Sequence, residues 1–214
     1  ELNPPLLRTL LAEGKLCPTG TSLPYAEGRR GAVGGEGACL VTLEARDHAA
    51  ARGVRPLARV RACERVFAGT GSGASAEPAR LLRALLDRAG LAPGDLDLVV
   101  VSAAGRQEAD RIEGRALLEV FGGESTAPVL LAPKAILGET WGASGPLGVV
   151  AALEVFRQGR VPAPPGHLVL SDDLRRLNLP RCTTERVVRH ALVLDCGVTG
   201  EMAGILLSAA EAGH

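Results

Sequence analysis

Leu96-Asp97-Leu98-Val99-Val100-Val101-Ser102, followed by Ala103-Ala104-Gly105 and the amphipathic stretch Glu108–Phe121, decides the fold class of this chain. An apolar run without alternation is the pattern of a parallel strand buried on both faces. Working outward, Ala127–Leu131 reads as another strand. Gly145–Gln158 (GPLGVVAALEVFRQ) is a nearly apolar helix that should be sandwiched in the interior. Upstream, Pro78–Ala89 repeats leucine at three- and four-residue spacing and stops at Gly90, an amphipathic helix. Val54–Phe67 reads as a long strand. Val187–Leu194 and Met202–Ser208 read as a terminal strand pair around Gly197 and Gly200. Strands alternate with helices from residue 57 to about 170, and strands then gather at the end. This predicts an α/β layered architecture, a mixed sheet covered by helices. Nearer the start, Pro4 and Pro5 open a helix through Leu6–Ala12, and Gly14–Gly37 is an irregular loop. Ala38–Leu43 reads as a short buried strand, and the polar stretch from Glu44 as a helix ending near Gly53.

The 214 residues carry 24 basic and 24 acidic side chains, with 46% apolar residues and only 2% aromatics. With 27 glycines and an Ala/Leu/Val-rich remainder, the core must be aliphatic, its backbones approaching through Gly and Ala. The length suits one large domain or two small ones. Balanced charge argues against a nucleic-acid binder, which carries a basic face. No apolar run reaches the length of about 18 residues that crosses a bilayer, so no membrane segment is expected. The five cysteines (Cys17, Cys39, Cys63, Cys182 and Cys196) are scattered and form no CxxC pair. Neither a disulfide framework nor a metal site is expected; reduced, buried thiols of a cytoplasmic protein are.

Candidate chemistry is sparse. Gly69-Thr70-Gly71-Ser72-Gly73-Ala74 fits GxGxxG/A, a turn that can hold pyrophosphate at a helix start. The carboxylate that such a site wants at the next strand tip is missing, so a plain Gly/Ser loop and no cofactor are expected. His48, His167, His190 and His214 have no neighbours arranged as a local triad. Asp195-Cys196 is the best local pair, but a carboxylate raises a thiol pKa, the wrong direction for a nucleophile. The densest unusual segment is residues 132–145 (APKAILGETWGASG). A strand end delivers Lys134 there, Glu139 is close enough to pair with it, and Trp141 is a large side chain in an aromatic-poor core. Lys134 reads as a site residue or as a solvated strand end. Trp141 reads as a pocket wall or as ordinary core.

Pro24-Tyr25-Ala26-Glu27-Gly28-Arg29-Arg30-Gly31-Ala32-Val33-Gly34-Gly35-Glu36-Gly37-Ala38, with Leu40-Val41-Thr42-Leu43-Glu44 and His48-Ala49-Ala50-Ala51-Arg52-Gly53, resembles the β-ketoacyl synthase signature PFDxxRDGxVxGEGAxxLVLE and HAxARG. Lys134, Gly138, Gly142, Ala143 and Gly145 are similar to the family's KxxxGHxxGAAG, and Pro162-Ala163-Pro164-Pro165 to its PPT turn. The resemblance implies a thiolase-like fold, layered α-β-α around a mixed sheet, and within it the second half of a pseudo-duplicated structure. Residues 1–56 would be the tail of the N-terminal half and residues 57–214 the C-terminal half. The rest of the N-terminal half, with the nucleophilic cysteine, is expected upstream of Glu1.

The departures carry the functional expectation. Where the family has the histidine of HGTxT this chain has Ala104, and where it has that of KxxxGH it has Glu139. Gly197–Met202 is similar to the GFGGxN loop that lines and gates the acyl pocket, with Val198 in place of the gating Phe and Thr199 beside it. The resemblance therefore implies no catalytic residue in this chain. Lys134, Glu139, Trp141, Val198 and Thr199 are the pocket candidates. Ala103-Ala104-Gly105 with Asp110, Ala132-Pro133-Lys134, and Arg189-His190-Ala191-Leu192-Val193-Leu194 are similar to the AAGxxxxD, APK and RxALVL motifs of chain length factors, the KSβ subunits of type II polyketide synthases. That branch implies a non-catalytic subunit that pairs with an active ketosynthase (KSα) and shapes the cavity for the growing chain. Its partners would be that ketosynthase, its own N-terminal half and, through the complex, an acyl carrier protein. The alternative is an active synthase with a rearranged site using His167 or His190.

Overall fold

Asn3 starts the first helix, α1 (Pro4–Ala12): its side chain accepts from the Leu6 amide at 2.8 Å, and Pro4 and Pro5 fill a turn that needs no amide partner. The computed structural model describes residues 3–18, 20–67, 76–122, 127–166, 168–197 and 199–210. After α1 the chain runs irregularly, tied by isolated bridges of Ala26 to Leu170 and Gly34 to Glu139. Then come α2 (Arg46–Ala51), β1 (Ala58–Phe67), α3 (Ala76–Ala89), β2 (Leu98–Val100), α4 (Gln107–Phe121), β3 (Val129–Leu131), α5 (Lys134–Leu137) and α6 (Ser144–Gln158). The small antiparallel pair β4 (Arg160–Val161) and β5 (Thr184–Glu185) precedes β6 (His190–Cys196) and β7 (Glu201–Ala209).

The main sheet has the order β1-β7-β6-β2-β3. β2 is parallel to both β3 and β6, whereas β7 is antiparallel to β6 and β1. The central strands are buried on both faces, which is why their sequences are continuous apolar runs. On one face, Leu81, Leu82, Leu85 and Leu86 of α3 and Leu117 and Phe121 of α4 pack with Val99, Leu130, Leu192 and Leu206. On the other, Ala152 and Val155 of α6 pack with Leu98, Val100, Val129 and Val193. Gly148 lets α6 lie directly on the sheet, because a Cβ there would stand 2.8 Å from Val193 Cγ1.

Three expectations need correction. Residues 38–43 form no strand: Leu40 is fully exposed and Leu43 is 75% exposed. A strand needs a neighbour for its amides and a core for its side chains, and no described strand runs alongside. The α6 helix is not sandwiched; it buries Gly148, Ala152 and Val155 on the sheet while Val150 faces outward, because no described element covers its other side. The cysteines are not uniformly buried: Cys63 and Cys182 are exposed, Cys17, Cys39 and Cys196 are half-buried as residues, and none forms a disulfide.

Candidate functional site

Parallel strands present their carboxyl ends on one side of a sheet, where crevices form. Ser102 follows β2, Lys134 follows β3, and Asp195 lies at the end of β6. The three meet. Lys134 Nζ donates to Ser102 Oγ at 3.1 Å, to Glu139 Oε2 at 3.0 Å and to Asp195 Oδ1 at 3.2 Å. Lys134 is only 5% exposed, which rules out the solvated strand end, and it opens the short helix α5. Burial pulls its ammonium down, but the charges of Glu139 and Asp195 outweigh this and hold it above the usual lysine range.

Glu139 is fixed from every side. Its Oε1 accepts from Ser144 Oγ at 2.7 Å and from the Trp141 amide at 3.1 Å. Its backbone is clamped between Val33 and Gly35, with Glu139 N to Val33 O at 2.7 Å and Gly35 N to Glu139 O at 2.9 Å. Gly138 makes the approach possible: its φ is +74°, and a Cβ there would lie 2.9 Å from Val33 O.

Ala104 has a different fate. It is fully buried, and its side chain belongs to an apolar cluster with Leu10, Leu16 and Ala32, against which Trp141 packs. Its amide and that of Gly105 donate to Asp110 Oδ1 (3.2 Å) and Oδ2 (2.9 Å), and Tyr25 N adds a third bond to Oδ2 at 3.1 Å. The AAG stretch is thus held by the aspartate that follows it on α4. One turn on, Glu113 accepts from Ser102 N and from the Tyr25 hydroxyl, each at 2.7 Å. Burial raises both carboxyls against these bonds, Glu113 to about 7. Tyr25, also fully buried, is raised by burial and by Glu113. Tyr25 and Glu113 were missed in the sequence, although acidic residues at inward positions of α4, in line with Leu117, were a signal.

An open cavity of about 770 Å³ lies above the cluster, lined by Arg65, Phe67, Glu139, Trp141, Asp195, Cys196, Thr199 and Met202 among others. Glu139, Trp141 and Thr199 therefore line one cavity, with Lys134 bonded to Glu139 behind it. Val198, His167 and the Gly69–Ala74 loop lie outside the described residues. The Cys196 thiol is pushed up by burial and then by the Glu113 charge, so the unfavourable direction anticipated for a nucleophile holds, with a different carboxylate responsible. Arg106, 8% exposed, donates to the Cys196 carbonyl at 3.0 Å. His190 starts the seven-residue β6, so it stands about 20 Å from Cys196 at its far end. It contacts Ser208 Oγ there at 3.0 Å. No described group of three or more His, Cys, Asp or Glu side chains is arranged to hold a metal ion.

The family model for the beta-ketoacyl synthase C-terminal domain matches residues 58–166. The chain belongs to the beta-ketoacyl synthase family. It is 35% identical to 3-oxoacyl-[acyl-carrier-protein] synthase 2 of Mycobacterium tuberculosis (strain H37Rv) over 73% of this chain and 38% of that protein. It is 38% identical to the actinorhodin polyketide beta-ketoacyl synthase 2 of Streptomyces coelicolor over 66% of this chain and 35% of that protein. The chain thus spans well under half the length of these curated relatives. Among solved structures, the ishigamide ketosynthase/chain length factor superposes with a TM-score of 0.88 at 26% identity, covering 97% of this chain and 51% of that one. The mixed sheet with its helical layers is therefore the thiolase-like ketosynthase fold, and the family match falls on its C-terminal domain. No helix among the described residues is long and apolar enough to cross a membrane.

Proposed function

We propose that this chain belongs to a chain-length-factor-like subunit of a type II polyketide or polyene synthase, a non-catalytic partner that pairs with an active ketosynthase and shapes the cavity for the growing acyl chain. One observation carries this reading. Of the two positions where the resemblance places catalytic histidines, one holds Ala104 inside an apolar cluster and the other Glu139 locked onto Lys134. A carboxylate at the second position would repel the oxyanion that forms as a malonyl thioester decarboxylates and condenses. Losing one positioned acid–base group lowers the rate by roughly 10²–10⁴, and here both are gone. The likenesses to a polyketide beta-ketoacyl synthase 2 and to a ketosynthase/chain length factor structure support the same reading.

In this reading residues 1–56 end one half of the polypeptide and residues 57–214 make the other. The outward face of α6 and the exposed Leu40 and Leu43 suit surfaces that a further half would cover. Glu139, Trp141 and Thr199, with Lys134 beneath, would form this subunit's share of the cavity, and the resemblance adds Val198 to them. A cytoplasmic location, a ketosynthase partner and delivery by acyl carrier protein follow from the same reading. The test is to purify the complete polypeptide with and without a co-expressed ketosynthase and to assay condensation of malonyl-acyl carrier protein. Activity only in the pair supports the reading; robust condensation by this polypeptide alone overturns it in favour of a rearranged active synthase.

A further inference from the structure

Two runs of hydrogen bonds, joined through the covalent frame of Ser102, lead from the irregular segment after α1 to the cavity wall. The Tyr25 hydroxyl donates to Glu113 Oε2 at 2.7 Å, and Ser102 N donates to Glu113 Oε1 at 2.7 Å. Ser102 Oγ accepts from Lys134 Nζ at 3.1 Å, Lys134 holds Glu139 at 3.0 Å, and Glu139 holds the Trp141 amide at 3.1 Å. Tyr25, Ser102, Glu113, Lys134 and Glu139 are each at most 5% exposed. The phenol stands where the family signature resembled by this segment has Phe, so its bond to Glu113 is a feature of this chain.

We propose that Tyr25 and Glu113 are positioning residues for the cavity, acting through Ser102 and Lys134, and that the proton bound by Glu113 is read at Trp141. The ionised and neutral forms of Glu113 bond differently. As a carboxylate it accepts from both donors, and bonds to a charged acceptor are roughly twice as strong as neutral ones. Once protonated on Oε2 it donates to Tyr25 Oη, the phenol hydrogen turns away, and the Ser102 amide is left on a neutral oxygen. Lys134 then faces only Glu139 and Asp195 as counter-charges, and its hold on Ser102 and Glu139 readjusts.

The charged and titratable groups facing Glu113 come from each element around it: Asp110 on α4, Tyr25 from the irregular segment, Lys134 on α5 and Cys196 on β6, with Arg106 beside Asp110. Burial and Asp110 favour the neutral form, whereas Ser102, Tyr25 and Lys134 favour the charged one, and the balance brings Glu113 to about 7. An apolar wall would not sense this exchange; a wall held by Lys134 and Glu139 does. The network is present whatever the polyketide role of the chain.

Trp141 is the single tryptophan of the chain, so its emission reports the cavity wall directly. Emission of the intact chain is followed from pH 5 to 9. The expected result is one transition centred near neutrality. Glu113→Gln abolishes it, since the amide accepts from Ser102 N, donates to Tyr25 Oη and carries no proton to lose. Tyr25→Phe moves the midpoint upward, because a donor favouring the charged form is gone. Lys134→Met removes the response at Trp141 while the Glu113 carboxyl, followed by its ¹³C shift, still titrates. A flat emission in the unmodified chain, or a transition that persists unchanged in Glu113→Gln, overturns the proposal. Should a variant fail to fold, the ¹³C titration of Glu113 in the unmodified chain decides: a midpoint matching that of Trp141 supports the coupling, and an unrelated one refutes it.

Discussion

Replacing Lys134 with Met keeps the length of the side chain and removes its ammonium. Three bonds are lost at once, to Ser102, Glu139 and Asp195. Asp195 is partly exposed and can turn to water, but Glu139 is 5% exposed and clamped by its own backbone. Its charge is stranded. Removing one partner of a buried ion pair costs about 3–5 kcal/mol. In a chain of this size 1 kcal/mol moves Tm by about 2–4 °C, so Lys134→Met should lower Tm by roughly 6–20 °C. Glu139→Gln in the same background removes the stranded charge and should restore part of the loss, with a coupling of about 0.5–3 kcal/mol in the double-mutant cycle. Urea unfolding followed by far-ultraviolet circular dichroism measures all four variants. The solvent-exposed pair Arg111–Glu108 is the internal control, expected to contribute little because water screens it. If Lys134→Met costs no more than Arg111→Ala, or if the two substitutions are additive, the description of Lys134 as the keystone of a buried cluster is refuted.

Asp110→Ala strands the buried amides of Tyr25, Ala104 and Gly105; at about 1–3 kcal/mol for each orphaned group, a loss of at least about 3 kcal/mol in urea unfolding is expected, with faster hydrogen exchange at the amides of Ala104 and Gly105. Glu113, raised to about 7 by burial, binds its proton more tightly folded than unfolded. Its contribution is therefore complete below about pH 4.5 and is lost as the pH rises through 7, a fall on the order of 3 kcal/mol that Glu113→Gln should flatten in urea midpoints taken from pH 5 to 8. Asp110, raised in the same direction, steepens the acid end of that slope. Gly148→Val forces side-chain atoms into Val193 and should cost about 1–3 kcal/mol in thermal unfolding, whereas the same change at exposed Gly142, which has open space around it, should cost less.

Local patterns made much of the fold legible. The apolar run at 96–102 is buried because β2 lies between two parallel strands, and the leucine spacing of 78–89 faces the core as a helix stripe does. Residues 38–43 show the limit of such patterns. Their composition suits a strand, but strand formation depends on a neighbour elsewhere in the chain, and the described residues offer none. The site was half legible. Lys134 and Glu139 sit five residues apart, and their pairing was readable; Asp195, 61 residues away, joins them only because β6 lies beside β2. The inward acidic positions of α4 pointed to Glu113, but its pairing with Tyr25 was not readable, because the two are 88 residues apart in sequence and joined by a tertiary contact. The resemblance located Ala104 and Glu139 but not their surroundings. The cluster around Ala104 comes from α1 and the irregular segment after it, and the clamp on Glu139 from that segment alone.

The most direct test of the central claim is carbon dioxide release from malonyl-acyl carrier protein by the complete polypeptide, purified without a ketosynthase partner. If Ala104 and Glu139 take the places of the acid–base pair, as proposed, release should not exceed the uncatalysed rate. Turnover above that rate which falls when Glu139 or Lys134 is replaced would place a working catalytic site in this chain and contradict the account.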